Sequence, residues 1–152
     1  MKKTLTVKKL QEWQGHEIGL SEWMTISQDR INAFADATED RQWIHVDVEK
    51  AGKSPLKSTV AHGFLLLSLL PHFLSTSKLY SYDVRMIINY GLNQVRFISP
   101  VKSGAGIRCR AVLKEVKRQK RKSVLLTVAC TIEIEGVSKP AMAAEVLALV
   151  YL

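Results

Sequence analysis

The strongest constraint on this chain is one run, Gly63-Phe-Leu-Leu-Leu-Ser-Leu-Leu-Pro-His-Phe-Leu74, apolar on nearly every side. A helix that is apolar all round buries most of its surface, so the rest of the chain has to wrap it. The run is too short to cross a bilayer, which takes ~20 residues. Pro71 within it predicts a kink or an early end. Beyond it the period changes. Ile107, Cys109, Ala111 and Leu113 alternate with Arg108, Arg110, Val112 and Lys114, the spacing of a half-buried strand. Strands are expected over 84–90, 94–98, 106–116, 123–133 and 141–151, with turns at Lys117 to Lys122 and at Glu135-Gly136. Helices first and antiparallel strands after them predict an α+β domain, a sheet curved around one buried helix. With 152 residues, the chain has the size of one such domain. A sheet of this kind leaves an edge and apolar surface uncovered, and a two-fold homodimer is the expected remedy.

The first part reads as short helices and loops. Residues 5–14 are expected to form a surface helix on Leu5, Leu10 and Trp13, followed by a short extended segment at 24–27. Ser27 is a fitting N-cap for a helix ending near Thr38, with Asp29 in its first turn and Ile31, Phe34, Ala35 and Thr38 at helical spacing. A loop from Asp40 to His45, a helical turn at 47–51 and a second loop at 52–59 lead to the apolar run. Apolar residues at 47% and charged residues at 24% are globular values and exclude a disordered chain. The start Met-Lys-Lys lacks the apolar run of a secretory signal, so a cytosolic protein is expected. Cys109 and Cys130 have no metal-ligand spacing and are expected as buried core thiols.

Three pieces carry polar groups suited to chemistry. In Asp40-Arg-Gln-Trp-Ile-His45 the two ends would lie ~140° apart on an ideal helix, but in a loop they can converge. A carboxylate beside an imidazole is a competent proton-transfer pair. In Ala61-His62-Gly63 the glycine permits close approach to backbone amides at a helix start, a ready donor site for an oxygen gaining negative charge. His62 alone reads first as a structural, hydrogen-bonded residue. In Asn89-Tyr-Gly-Leu-Asn-Gln-Val-Arg-Phe97, Tyr90 and Asn93 are candidates for lining a pocket. Ser68 and His72 stand at i and i+4 and can bond each other.

The formal charge is +8. Most of the excess is one cluster, Lys114, Lys117, Arg118, Lys120, Arg121 and Lys122 against Glu115. Such a cluster suits a solvated hairpin tip or an anionic partner, including phosphate groups. No aromatic residue interleaves it, which argues against nucleic acid as the ligand.

Taken in order, Ile31 to Asp47 with its Gln-Trp-Ile-His run, Ser54-Pro55, Val60-Ala-His-Gly-Phe-Leu-Leu-Leu-Ser-Leu70, Asn89 to Phe97 and Pro100-Val101 resemble the MaoC-like (R)-specific enoyl-CoA hydratases. The resemblance is strongest to the branch that includes nodulation protein N. It covers roughly residues 20–152 and is densest over 31–70. It implies a hot-dog fold over the whole chain, 1–152, with a long central helix in a curved antiparallel sheet, as a dimer. It also implies reversible (R)-specific hydration of trans-2-enoyl thioesters, carried by coenzyme A or acyl carrier protein. The family's catalytic pair falls on Asp40 and His45, and its thioester-binding amide on Gly63. Trp43, His62, Tyr90 and Asn93 become expected pocket residues, and Lys120, Arg121 and Lys122 expected partners of coenzyme A phosphates. No metal and no cofactor is implied, and no membrane association. Three features depart from the family pattern. Glu39 stands where many relatives have Gly, Leu56-Lys-Ser-Thr59 replaces a Gly-rich loop, and Pro71 lies near a Ser that assists the site in some relatives. Two other classes stay open on the same fold: an acyl-CoA thioesterase, and a non-catalytic acyl-thioester-binding protein.

Overall fold

A computed structural model describes residues 3–120 and 122–152. In chain order the elements are β1 (Lys3–Thr4), α1 (Val7–Trp13), β2 (Glu17–Leu20), β3 (Met24–Thr25), α2 (Gln28–Thr38), α3 (Trp43–Val46) and α4 (Val48–Lys53). They continue with α5 (Gly63–Ser68), α6 (Leu70–Leu74), a 3-10 turn (Lys78–Ser81), β4 (Tyr82–Asp83), β5 (Met86–Phe97), β6 (Gly106–Arg118), β7 (Ser123–Ile134) and β8 (Val137–Tyr151).

The main sheet has the order β2-β6-β7-β8-β5, with β3 also pairing with β6, and all of its ladders are antiparallel. Its inner face follows the expected alternation: Ile107, Cys109, Ala111 and Leu113 of β6 are buried, as are Leu126, Val128, Cys130 and Ile132 of β7. They form one core with Leu65, Leu66, Leu69, Leu70 and Phe73 of α5 and α6. Burying a side chain of this size contributes roughly 1.5–3 kcal/mol relative to leaving it exposed. Both cysteines are free and buried, and the Cys109 thiol beside it, together with burial, pushes Cys130 far up. Neither is poised as a nucleophile.

Three local details differ from the sequence expectation, and a fourth, the helix break, follows the one that Pro71 predicts. The central helix is interrupted at Leu69, two residues before Pro71, giving α5 and α6. Proline disfavours the helical conformation just before it and removes a backbone donor, and Pro71 sits at the start of α6. Residues 84–98 hold one continuous strand, β5, rather than two. Its register shifts against β8 between Asn89 and Gly91 and between Leu92 and Gln94, so the residues that resemble a turn are absorbed as bulges. β2 is a short strand without an apolar run of its own, held on the edge of β6. His45 lies in the helical turn α3 rather than in an open loop.

The two faces of the sheet differ. Glu17, Arg110, Glu133 and Arg108 form a chain of ion pairs on the outer face, and Arg108 stacks over Trp23 at 4.4 Å. The Arg108 and Arg110 guanidiniums hold the Glu133 carboxyl below the usual range. β5 is the free edge, and it exposes Met86, Ile88, Tyr90, Leu92 and Phe97. Among the described residues no helix is long and apolar enough to cross a membrane.

Candidate active site

Local chemistry explains why Asp40 and His45 converge. Ser27 caps α2 by accepting from the Arg30 amide at 3.2 Å. At the other end the chain turns at Glu39, whose φ is +62°. Glycine usually occupies such a left-handed C-terminal position, and a side chain there costs roughly 1–2 kcal/mol. Glu39 takes that conformation, and Asp40 follows it directly in the chain.

Hydrogen bonds fix both the ring and the backbone of His45. Its Nδ1 lies 2.7 Å from the Val60 carbonyl. Because a carbonyl only accepts, Nδ1 carries the hydrogen and Nε2 keeps a free lone pair. The His45 carbonyl accepts from Gln28 Nε2 at 2.7 Å, and Thr59 donates to the other end of the same amide at 2.5 Å. Sequence reading missed Gln28: a polar residue in the first turn of a helix gives no signal of a partner 17 positions away. The segment carrying Val60 is itself anchored, with Val60 N–H on Ile44 and Ala61 N–H on Val101.

His62 completes the cluster. Its ring stacks on His45 with centroids 3.7 Å apart and planes 22° apart. Its Nε2 lies 2.9 Å from the Asp40 carbonyl. A carboxylate oxygen of Asp40 and one nitrogen from each imidazole all lie within 4.8 Å of one another. Both imidazoles are buried, whereas the Asp40 side chain is half exposed. Burial pushes the His45 imidazole down from its ordinary 6.5, and His62 pushes the same way; the Val60 carbonyl and Asp40 oppose them. A mainly neutral His45 at pH 7 is the form that accepts a proton. Each imidazole binds a carbonyl through one nitrogen, which leaves one ring nitrogen of each outside those bonds.

Gly63 begins α5, where an amide has no partner within its own helix. A Cβ at Gly63 would come within 2.9 Å of the Phe97 ring, so only glycine lets β5 approach here. Gly63, Leu66, Phe97 and Pro100 line a cleft of about 240 Å³. A larger groove of about 500 Å³ runs between α5–α6 and β5, lined by Leu67, Ser68, Pro71, Leu74, Tyr90 and Leu92.

The remaining expected residues are spread more widely. Tyr90 lines the groove. Asn93 does not, and its Nδ2 donates to Glu145 at 3.4 Å. Trp43 lies on α3 with the Lys50 ammonium 4.8 Å over its ring. Ser68 donates to the Phe64 carbonyl at 2.7 Å rather than bonding His72. Lys120 and Lys122 lie in the β6–β7 turn, and Arg121 lies outside the described residues. Val60 bridges Lys102 just before β6 begins, whereas Arg118 pairs with Val124 at its far end. Strand rise puts those ends roughly 40 Å apart. Lys120 and Lys122 therefore lie about a strand length from the Asp40–His45 cluster of their own chain.

A helical layer wrapped by a single curved antiparallel sheet defines the hot-dog fold, the architecture of a class that includes hydratases and dehydratases. The match to known proteins is at family level: residues 9–134 fit the MaoC-like domain, and the chain belongs to that family. It is 47% identical over 134 residues to 3-hydroxyacyl-thioester dehydratase Z of Mycobacterium tuberculosis, covering 86% of each chain. It is 45% identical over 131 residues to nodulation protein N of Rhizobium leguminosarum bv. viciae, covering 86% of this chain and 81% of that one. Among solved structures, a monoamine oxidase regulatory protein from Archaeoglobus fulgius superposes with a TM-score of 0.82 at 27% identity, covering 98% and 95%. An (R)-hydratase from A. caviae involved in PHA biosynthesis superposes at 0.70 with 22% identity, covering 89% and 97%, and so shares the fold. The enzyme is a carbon–oxygen lyase.

Proposed function

We propose that this enzyme adds water to trans-2-enoyl thioesters to give (3R)-3-hydroxyacyl thioesters, and runs the reverse dehydration, with Asp40 and His45 acting on one water. The observation that carries the reading is the convergence of the two side chains, with His45 held as the Nδ1–H tautomer so that Nε2 is free to accept. The chemistry needs a group that orients and deprotonates water for attack at C3, and a proton returned at C2. A fixed, neutral imidazole and a solvent-facing carboxylate on the same small volume meet both needs. Polarising the C1 carbonyl makes C3 electrophilic and spreads enolate charge. The Gly63 amide is the donor assigned to that oxygen, and one such donor contributes ~3 kcal/mol to a transition state. The apolar groove between α5–α6 and β5, with Tyr90 on its wall, is assigned to the acyl chain.

We assign a homodimer, with a second copy pairing along β5. A twelve-residue unpaired edge that exposes several large apolar side chains is a surface a soluble chain usually covers. Sedimentation should give twice the 17.1 kDa of one chain.

The test of function is crotonyl-CoA hydration, followed by loss of enoyl absorbance, with the product resolved chirally and free thiol measured in parallel. The expected result is (3R)-3-hydroxybutyryl-CoA without thiol release. Thiol release without hydration would establish a thioesterase, and saturable binding without turnover a binding protein.

A further inference from the structure

We infer that His62 is a positioning residue for the proton-transfer pair, holding Asp40 by a hydrogen bond and His45 by its ring face. The inference rests on the proposed roles of Asp40 and His45, and goes beyond them in naming what sets their geometry.

Four observations converge on this side chain. It is 2% exposed, so its contacts are fixed by packing rather than by solvent. Its Nε2, facing the Asp40 carbonyl at 2.9 Å, is the protonated nitrogen, because the carbonyl can only accept. That bond ties down the backbone of a residue whose own side chain is half exposed, and Asp40 follows a left-handed turn with no helix to support it. Its ring lies between two others, stacked on His45 at 3.7 Å and tilted against Phe34 at 5.0 Å. The backbone of the same residue caps α5, its carbonyl accepting from the Leu65 and Leu66 amides, which places the Gly63 amide next in the chain. One residue thus links the Asp40 backbone, the His45 ring and the candidate oxyanion donor.

A fifth observation separates positioning from simple packing. His62 Nδ1 is buried without a hydrogen-bond partner among the described residues. Burying an imidazole with one nitrogen unsatisfied is unfavourable, and an apolar ring would fill the same space between Phe34 and His45 without that cost. The polar ring is explained by what its other nitrogen holds.

Two variants divide the two contacts. His62→Gln places an amide nitrogen where Nε2 lies, keeping a donor for the Asp40 carbonyl and losing the flat ring. His62→Phe keeps the flat ring and has no donor. Small misplacements of reacting groups cost up to ~10²-fold in rate. In crotonyl-CoA hydration, His62→Phe should lower kcat roughly 10- to 100-fold with KM within about twofold, and His62→Gln should recover part of the loss. The titratable groups acting on His45 are Asp40, from the end of α2, and His62, from the start of α5. Nitrogen-15 NMR of the full chain without substrate should therefore show His45 titrating at higher pH in His62→Gln than in the wild type.

An unchanged His45 titration in His62→Gln, a kcat unaffected by His62→Phe, or a loss confined to KM would overturn the inference. A wild type that hydrates no enoyl thioester would instead overturn the proposed function, and the NMR result would still decide the role of His62.

Discussion

The sheet has a polar cluster at each end, and the two are built on opposite terms. At one end His45 and His62 are buried, Asp40 is half exposed, and each imidazole is pinned through one nitrogen to a named carbonyl. At the other, Lys117, Arg118, Lys120 and Lys122 crowd a hairpin tip in solvent; Lys117 reaches its neighbour Glu115 at 3.1 Å. Solvated charges cost little and impose little geometry, because water screens them and supplies their hydrogen bonds. Buried polar groups have to find partners within the protein, and the partners they find fix their orientation. The lesson is that the denser charge cluster is the less specified site. The proposed chemistry sits where polar groups are few and held.

Acid separates the two ends most strongly. Burial holds His45 below its ordinary 6.5, so kcat/KM should stay level as pH falls from 7 past 6.5. It should then drop about tenfold per pH unit on the acid side of the folded value, as the base is protonated. Over the same window the unfolded chain binds the His45 proton before the folded chain does, so stability falls as pH falls. A pH-rate profile with parallel denaturant titrations checks both limbs. An acid limb centred above 6.5 would mean that His45 is not the base, or is not desolvated.

The tip should give the smallest effect. Lys120→Ser with Lys122→Ser should leave KM for crotonyl-CoA unchanged even at low salt, because these residues lie a full strand length from the cluster of their own chain. A rise in KM that fades as salt is added would show that a partner's tip lies close enough to a pocket to hold substrate phosphates.

The sequence made the centre of the molecule legible and its margins less so. β6, β7 and β8 were readable because one face of each is buried, which forces a period of two. α2 carries its own cap in Ser27 and a helical apolar stripe. β5 was harder. It is an edge strand with little buried surface, and Gly91 and Asn93 have the composition of a turn although they sit in a bulged strand. The break in the central helix was foreseen from Pro71, but its place was set by the conformation of the residues before the proline. At the candidate site, the spacing of Asp40 and His45 and the Gly63 helix start were visible as candidates. The His45–His62 stack and the Gln28–Thr59 clamp were not, because both depend on segments far apart in the chain that only the packed fold brings together.

The central claim is that Asp40 and His45 act as one unit on one water. Its most direct test is a double-mutant cycle in crotonyl-CoA hydration with Asp40→Asn, His45→Gln and the pair, each checked for folding by circular dichroism. The account predicts that either single change lowers kcat by ~10² or more, and that the double variant is little worse than the worse single, because groups acting in one step are not additive. A folded single variant with near-wild-type turnover, or losses that multiply independently in the double, would contradict it.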